Sequence, residues 1–493
     1  MTRKVLVIGG GPGGSTAATL LARAGVSVTL LERDTFPRYH IGESIASSCR
    51  SILDFGGALE KIEERGYTVK TGVLLRWGQE KDWKIDWSEL FGPDVRSWQV
   101  DRDDFDTILL DHAAEQGVEV IQGASVKRVI FDGDRAVGAE WTDPQDRGTV
   151  HTGEFDFVVD ASGRAGVIGG QHFKNRRPHE VFRNVAIWGY WKGGDLLPGT
   201  PSGGINVVSS PDGWYWIIPL RDDRYSVGFV SHQSRFLERR ADYSSTEEML
   251  HALIAESATV TDLLAGGEFQ PGVRVEKDFS YVADSFCGPG YFLVGDAACF
   301  LDPLLSTGVH LAMYSGMLSA ASILSTINGD VDESQALGFY ESLFRNAYQR
   351  LFTLVSGVYQ QYMGSDTYFD LAESLVRESS DGTTAGDGKD AAFGELVAGV
   401  TDLREASDVA GLGTAPIQTM IDEAGHDGTP VGQLLSAAEQ ARQAAIAASP
   451  NAPISMAPMK MDATDLYDAA SGLYLTTTPT LGIRRATADA VVA

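Results

Sequence analysis

Three groups of residues in this chain have types and spacings suited to chemistry. The first is Ser306-Thr307-Gly308, which follows a turn anchored at Pro303 and opens an apolar run that reads as a helix from about Val309 to Ile327. A helix start leaves several backbone N–H groups without acceptors, so this Ser-Thr-Gly start is a ready anion site, with an ordinary capped helix start as the plain alternative. The second is Lys70, inside the apolar segment Tyr67–Gly78. A free lysine titrates at about 10.4, and burial lowers that by up to roughly 3–5 units, which leaves a nucleophilic neutral amine near neutral pH. A lysine snorkelling at a strand edge is the plain alternative. The third is Trp214 with Trp216 in the run Gly213-Trp214-Tyr215-Trp216-Ile217-Ile218-Pro219. Side chains two apart on a strand share a face, and a pair of core aromatics is the plain reading of these rings.

The elements that must position these groups start at the N-terminus. Val5–Ile8 reads as a buried parallel strand, Ser15–Ala24 as a small-residue helix and Val26–Leu31 as a second strand. Between them stands Gly9-x-Gly11-x-x-Gly14, with Glu32 at the end of the second strand, the dinucleotide-binding fingerprint in its strand-turn-helix setting. Gly9 makes the tight turn, Gly11 admits the pyrophosphate, Gly14 lets helix pack on strand, and Glu32 takes ribose hydroxyls. Arg33, Arg38 and Ser44 add basic and hydroxyl groups within reach of a pyrophosphate, and Gln99 and Arg102 lead into a further helix. Phe157–Asp160 reads as another strand, and the strand before Gly295-Asp296 ends in a pair suited to a sugar or sugar-alcohol chain. Short alternating strands follow Arg164: Val185–Trp191, Gly204–Ser209, Trp214–Pro219 and Arg224–Ser231, separated by turn pairs.

Composition bounds the rest. A chain of 493 residues can bury a large core and is expected to form two interleaved domains and a tail. The net charge of −27 argues against nucleic acid and anionic membranes as partners. The three cysteines have no ligand-like spacing and form no disulfide framework, so a metal site is not expected and a reducing, cytoplasmic setting is. The first apolar run is too short for a signal peptide, and no window approaches a membrane span.

In this order, the nucleotide elements resemble the FAD-binding half of the glutathione-reductase-type flavoproteins, a Rossmann α/β fold interleaved with an antiparallel-sheet substrate domain. The Trp214-x-Trp216-x-Ile218-Pro219 run, the glycine fingerprint and Phe300-x-x-Pro303-x-x-Ser306-x-Gly308 together resemble the flavin-dependent halogenases. The resemblance covers about residues 1–355. It implies FAD parts at about 1–50, 97–165 and 275–335, an antiparallel-sheet part at about 66–96 and 165–275, and a C-terminal helical region with acidic loops over 346–493. Gly295, Asp296 and Pro303 then belong to the FAD site.

The resemblance also implies a mechanism. FADH2 and O2 give a flavin hydroperoxide, chloride or bromide attacks it, and hypohalous acid results. The halide site carries over to the Ser306-Thr307-Gly308 turn, Lys70 relays the hypohalous acid, and Trp214 and Trp216 keep the organic substrate from the flavin. Only one glycine fingerprint is present, so a separate NAD(P)H-dependent flavin reductase is an expected partner. In the tryptophan-halogenating branch a glutamate precedes the Ser-Thr-Gly turn; here the residue is Leu305. Its loss points to an electron-rich aromatic ring activated by its own O–H or N–H, a phenol or tyrosine-like unit before free tryptophan. The branch includes enzymes of antibiotic biosynthesis, some acting on substrates held by a peptidyl carrier protein, and some with covalently attached flavin; both points stay open. For a carrier, Lys174, Arg176, Arg177 and His179 are the candidate basic patch, though a solvated loop is the preferred reading. A FAD-dependent aromatic monooxygenase or a flavin reductase of isoprenoid double bonds is the alternative, and a non-enzymatic flavin-binding protein a third. In the tail, Ser379–Gly388 reads as a linker, Leu434–Ala448 as an amphipathic helix and Ala486–Ala493 as disordered.

Overall fold

The apolar stretch Lys4–Ile8 is the centre of a six-stranded sheet in a computed structural model that describes residues 3–76, 82–87, 95–143, 148–363, 467–468, 471–478 and 480–485. The strand order is Cys287–Gly288, Tyr291–Leu293, Phe157–Asp160, Lys4–Ile8, Ser27–Glu32, Glu119–Gln122, and all but the two-residue edge strand run parallel. Strands buried on both faces need continuous apolar runs, which Val5–Ile8 and Phe157–Val159 supply. Helix Pro12–Arg23 lies between this sheet and helix Gly308–Asn328. The two helices approach closely through glycine: a Cβ on Gly13 would stand 2.7 Å from the Ala312 carbonyl oxygen, and one on Gly316 2.5 Å from that of Gly13. This contact brings segments about 300 positions apart in the chain to one place.

The second large sheet has eight strands, ordered Cys299–Phe300, Glu268–Ala283, Arg176–Lys192, Arg224–His232, Gly213–Leu220, Ile205–Ser210, Gly72–Arg76, Asp82–Asp86. It is antiparallel except where Ile205–Ser210 runs parallel to Gly72–Arg76. Alternation along its strands sorts the side chains into two cores. Trp188, Trp214, Trp216 and Ile218 face the core shared with the nucleotide-side sheet. Ile187, Tyr215, Ile217 and Phe229 face a smaller core, where helices Gln233–Arg240, Thr246–Glu256 and Ala258–Leu263 contribute Phe236, Met249, Leu253 and Val260.

Two expectations are corrected here. The segment around Lys70 is not one strand. It breaks at Thr71, whose N–H donates to the Ser202 carbonyl, into Thr68–Lys70, paired with Ser97–Gln99, and Gly72–Arg76 in the large sheet. Trp77 and Gly78 lie outside the described residues. The boundary at 345/346 also falls inside a continuous helix, Glu333–Met363. Beyond it, the described residues are strands rather than helices: Tyr467–Asp468, Leu473–Thr476 and Gly482–Arg485 form a small antiparallel sheet. That sheet packs back on the core, with Leu473, Leu475 and Ile483 buried and the Ile483 N–H donating to Ser325 Oγ at 2.6 Å. Local pattern could not reveal these strands because they depend on the surfaces of helices Gly308–Asn328 and Glu333–Met363. The expected linker, amphipathic helix and disordered end lie outside the described residues.

Candidate active site

One cavity of about 860 Å³ opens where the two sheets meet, within the roughly 300–1,000 Å³ typical of ligand clefts. The nucleotide loop forms one end. Gly9 takes φ +102° beside Ala161, and Gly11 caps helix Pro12–Arg23 with no side chain covering its first amides. Those amides and the helix dipole suit a pyrophosphate. Gly14 is behind the wall rather than on it, packed where a Cβ would stand 2.0 Å from the Gly9 carbonyl oxygen. Glu32, 5% exposed, accepts the Gly10 and Asp34 N–H groups and lines the cavity. Arg38 lines it too, beside the buried Asp106.

Other expected cofactor residues are placed differently. Arg33 reaches the cavity edge but is largely exposed and pairs with Asp34. Arg102 is on the wall, yet its guanidinium is taken up by Asp106 and by the Ile41 and Gly42 carbonyls, so it shapes the loop before Ser44. Gln99 is not on the wall. Its amide nitrogen donates to the Gly203 carbonyl, as expected of a buried strand residue beside a crossing loop. Gly295 and Asp296 line the cavity too, and burial raises the Asp296 carboxyl above its ordinary range against the opposing pull of Arg164, Arg102 and Arg176.

The turn from Asp302 to Gly308 forms another wall. Asp302 accepts the Leu304 N–H at 3.0 Å, the Pro303–Leu305 turn closes with the Ser306 N–H on the Pro303 carbonyl, and Ser306 adopts φ +58°. Helix Gly308–Asn328 then starts without a side-chain cap, and Pro303, Ser306, Thr307 and Gly308 all line the cavity. Its first-turn amides have no intrahelical acceptors, the arrangement that favours an anion.

Three tryptophans line the same cavity, where sequence supplied two. Trp214 and Trp216 have ring centroids 6.1 Å apart, and Trp188 stands 6.1 Å from Trp216. Trp216 lies flat on Gly228, where a Cβ would meet its ring at 2.2 Å, and its Nε1 donates to Ser226 Oγ. Trp188 donates to the Tyr39 hydroxyl at 2.8 Å, Tyr39 meets Tyr190, and Tyr190 donates to Glu43 at 2.6 Å. Glu43 is a buried carboxyl on the wall whose Oε2 makes no hydrogen bond of ordinary geometry, although Ser226 stands beside it. Burial raises its pKa. Trp188 and Glu43 were missed because neither carries a motif of its own; the alternation through Ala186 and Trp188 was the available signal for the first.

Lys70 is 3% exposed and sits one residue behind the wall. Its Nζ donates to Ser44 Oγ at 2.8 Å, which lines the cavity, contacts the Ile45 carbonyl at 3.4 Å, and lies 4.9 Å from the Trp87 ring centroid. Burial pulls its pKa down to about 7. The candidate basic patch is only half at the surface, since Lys174 and Arg177 are exposed and the other two are not. Arg176 turns inward to the Gly163, Arg164, Asp296 and Ala297 carbonyls, His179 is buried against Tyr348, and Arg177 pairs with Asp284. No group of three metal-ligating side chains and no helix long and apolar enough to cross a membrane occurs among the described residues.

The family model for tryptophan halogenase matches residues 4–96 and 95–380. The chain is 41% identical over 496 residues to a tryptophan 2-halogenase of Chondromyces crocatus, covering 98% of this chain and 94% of that one. It is 38% identical over 383 residues to the flavin-dependent halogenase armH1 of Armillaria mellea, covering 74% and 72%. Among solved structures, the myxobacterial chondrochloren halogenase CndH, described as a variant of FAD-dependent halogenases, aligns with a TM-score of 0.69 and 31% identity over 89% of this chain and 96% of its own. The flavin-dependent halogenase CmlS aligns with a TM-score of 0.69 and 31% identity over 91% and 78%.

Proposed function

The chain belongs to the flavin-dependent halogenases, and on that premise we propose that it halogenates an electron-rich aromatic ring by relaying hypohalous acid through Lys70. The residues present fit FAD. The uncapped helix end behind Gly11 suits the pyrophosphate, Glu32 a ribose, and Gly295-Asp296 the sugar-alcohol chain. Bound as FADH2, the cofactor supplies the two electrons that turn O2 into an oxidant for chloride or bromide. A separate NAD(P)H-dependent reductase supplies the reduced flavin.

The chain's own groups divide the remaining work. The Thr307 and Gly308 amides hold the halide, and the tryptophan wall excludes the organic substrate from the flavin side. Hypohalous acid leaves past Ser44. The neutral Lys70 amine takes the halogen as a haloamine with loss of water, or holds the acid by a hydrogen bond. The observation that carries the reading is the placement of Lys70, buried behind the cavity wall and bound by Ser44 and a carbonyl rather than by a carboxylate among the described residues. That setting favours the neutral form above about pH 7.

Leu305, where the tryptophan branch has a glutamate, supports a substrate activated by its own O–H, a phenol or tyrosine-like ring. The relative named tryptophan 2-halogenase favours a second reading, the pyrrole-ring carbon of indole, which its N–H activates in the same way. Arg176 and His179 are taken up internally while Lys174 and Arg177 stay exposed, and nothing among the described residues favours a carrier-bound over a free substrate.

The test uses purified protein with FAD, a flavin reductase, NADH, O2 and chloride or bromide. Phenols, tyrosine derivatives, tryptophan and carrier-loaded substrates are followed by mass spectrometry. A halogen isotope pattern on one of them, lost in Lys70→Ala while monochlorodimedone still traps hypohalous acid, is the expected result. An oxygen mass shift without halogen would instead establish the monooxygenase alternative.

A further inference from the structure

We infer that Asn184 and Asp302 form a positioning pair that sets the conformation of the anion-binding turn; this rests on the halide reading of that turn. Asp302 is 2% exposed and Asn184 5%. Asn184 Nδ2 donates to Asp302 Oδ2 at 2.7 Å, and the Leu304 N–H donates to Asp302 Oδ1 at 3.0 Å. Asn184 comes from the middle of the long strand Arg176–Lys192, held on both sides by pairing with His232 and Asp278. The pair therefore ties the turn to a strand of the substrate-side sheet that is paired on both sides at this point.

A carboxylate beside an anion site is an unfavourable neighbour, since like charges repel. Its presence calls for a purpose that a neutral cap would not serve. Two donors, one from each side, meet Asp302, and only a carboxylate offers each its own charged oxygen. With both oxygens committed, Asp302 fixes the entry to the Pro303–Leu305 turn, and that turn delivers Ser306 in the left-handed region at φ +58°. Left-handed serine persists only where its surroundings impose it. On the helix side, His310 Nδ1 meets Ser48 Oγ at 2.8 Å and secures the first helical turn to the segment that carries Ser44. The amides of Thr307 and Gly308 thus point where two anchors leave them.

The same geometry supplies a selective test. Asparagine at 302 has one acceptor oxygen for two donors, so Asp302→Asn either loses one of the two bonds or forces the Asn184 amide to turn over, and in both cases it removes the charge that strengthens them. Asn184→Asp sets a second carboxylate against the first. Combining the two substitutions restores both bonds. The carboxylate introduced on the strand would accept from the amide introduced on the turn, and the oxygen of that amide still accepts the Leu304 N–H. The holoenzyme and the three variants are compared for halide KM, FAD affinity, and the rate of O2 consumption by reduced flavin without halide. Each single variant should raise halide KM about tenfold or more, with FAD affinity and O2 consumption within about twofold of the parent, and the exchange should recover most of the loss. Unaltered halide KM in Asp302→Asn, or a folded, FAD-loaded exchange variant no better than the singles, would overturn the inference. If Asn184→Asp does not fold, Asp302→Asn and the exchange decide alone. Absence of halogenated product from the parent enzyme is a different result, and it removes the halide reading itself.

Discussion

Replacing Lys70 by methionine tests the physical state of the proposed relay separately from its chemistry. The folded protein holds the amine at a pKa of about 7 against 10.5 for a free lysine, because burial disfavours the charge. Between those values the unfolded chain binds a proton that the folded chain does not, so stability rises with pH across the window. At 1.36 kcal/mol per unit, the burden of the buried amine is about 4 kcal/mol at pH 7, about 2 at pH 9 and below about 1 at pH 10. Methionine fills a similar volume and does not titrate, but it forfeits the contacts to Ser44 Oγ and the Ile45 carbonyl, about 1 kcal/mol each. Lys70→Met should therefore be more stable than the parent by about 2 kcal/mol at pH 7, equal to it near pH 9 and less stable by about 1 at pH 10. For a chain of this length that is a melting difference on the order of 2 °C, with a change of sign. Thermal melts of both FAD-loaded proteins at the three pH values measure it. A variant less stable at pH 7, or a difference constant with pH, would show that the lysine is charged or hydrated and would refute the argument for a neutral amine.

Three further outcomes follow from the site. Halogenated product per hypohalous acid formed should rise with pH through about 7, as Lys70 loses its proton; a flat ratio between pH 6 and 8 would count against the relay. Gly228→Ala places a Cβ 2.2 Å from the Trp216 ring and should push it into the cavity. Overpacking of about 1–3 kcal/mol should then appear as a lower Tm with weaker FAD binding, and unchanged tryptophan fluorescence and FAD affinity would contradict the placement. Arg176→Met removes a guanidinium that joins the Gly163–Arg164 and Asp296–Ala297 carbonyls. It should cost about 1.5–3 kcal/mol and loosen FAD binding; equal Tm and flavin affinity would leave Arg176 without that role.

The parts of the site that could be read from sequence are those whose geometry is made locally. The strand, glycine turn and helix of the nucleotide loop need only their own residues; the Pro303 turn and the helix start at Gly308 are likewise marked by local residues, although Asn184 and Ser48, which anchor them, come from distant segments. Trp214 and Trp216 were legible because a strand's period of two is local. What depended on distant partners was not. Gln99 turns to the Gly203 carbonyl, and Arg102 is consumed by Asp106 and a neighbouring loop. Arg176 and His179, basic on paper, are drawn inward by carbonyls and Tyr348. The break after Lys70 arises from a bond between Thr71 and Ser202, more than 100 positions away, and no window of sequence contains both. The C-terminal strands form on helices that precede them by more than 100 residues.

The strand Arg176–Lys192 contributes at successive even positions to several parts of the site: Asn184 to the anion turn, Ala186 and Trp188 to the cavity wall, and Tyr190 to Glu43. Its odd positions, Val185, Ile187 and Trp191, belong to the other core. Gain or loss of a single residue within it would exchange the two faces at once, placing arginine or valine against Asp302 and isoleucine or glycine where the ring now stands. This stretch can therefore diversify by substitution but not by change of length. New substrate preference in relatives of this fold is expected to enter through the surrounding loops, while this strand keeps its count.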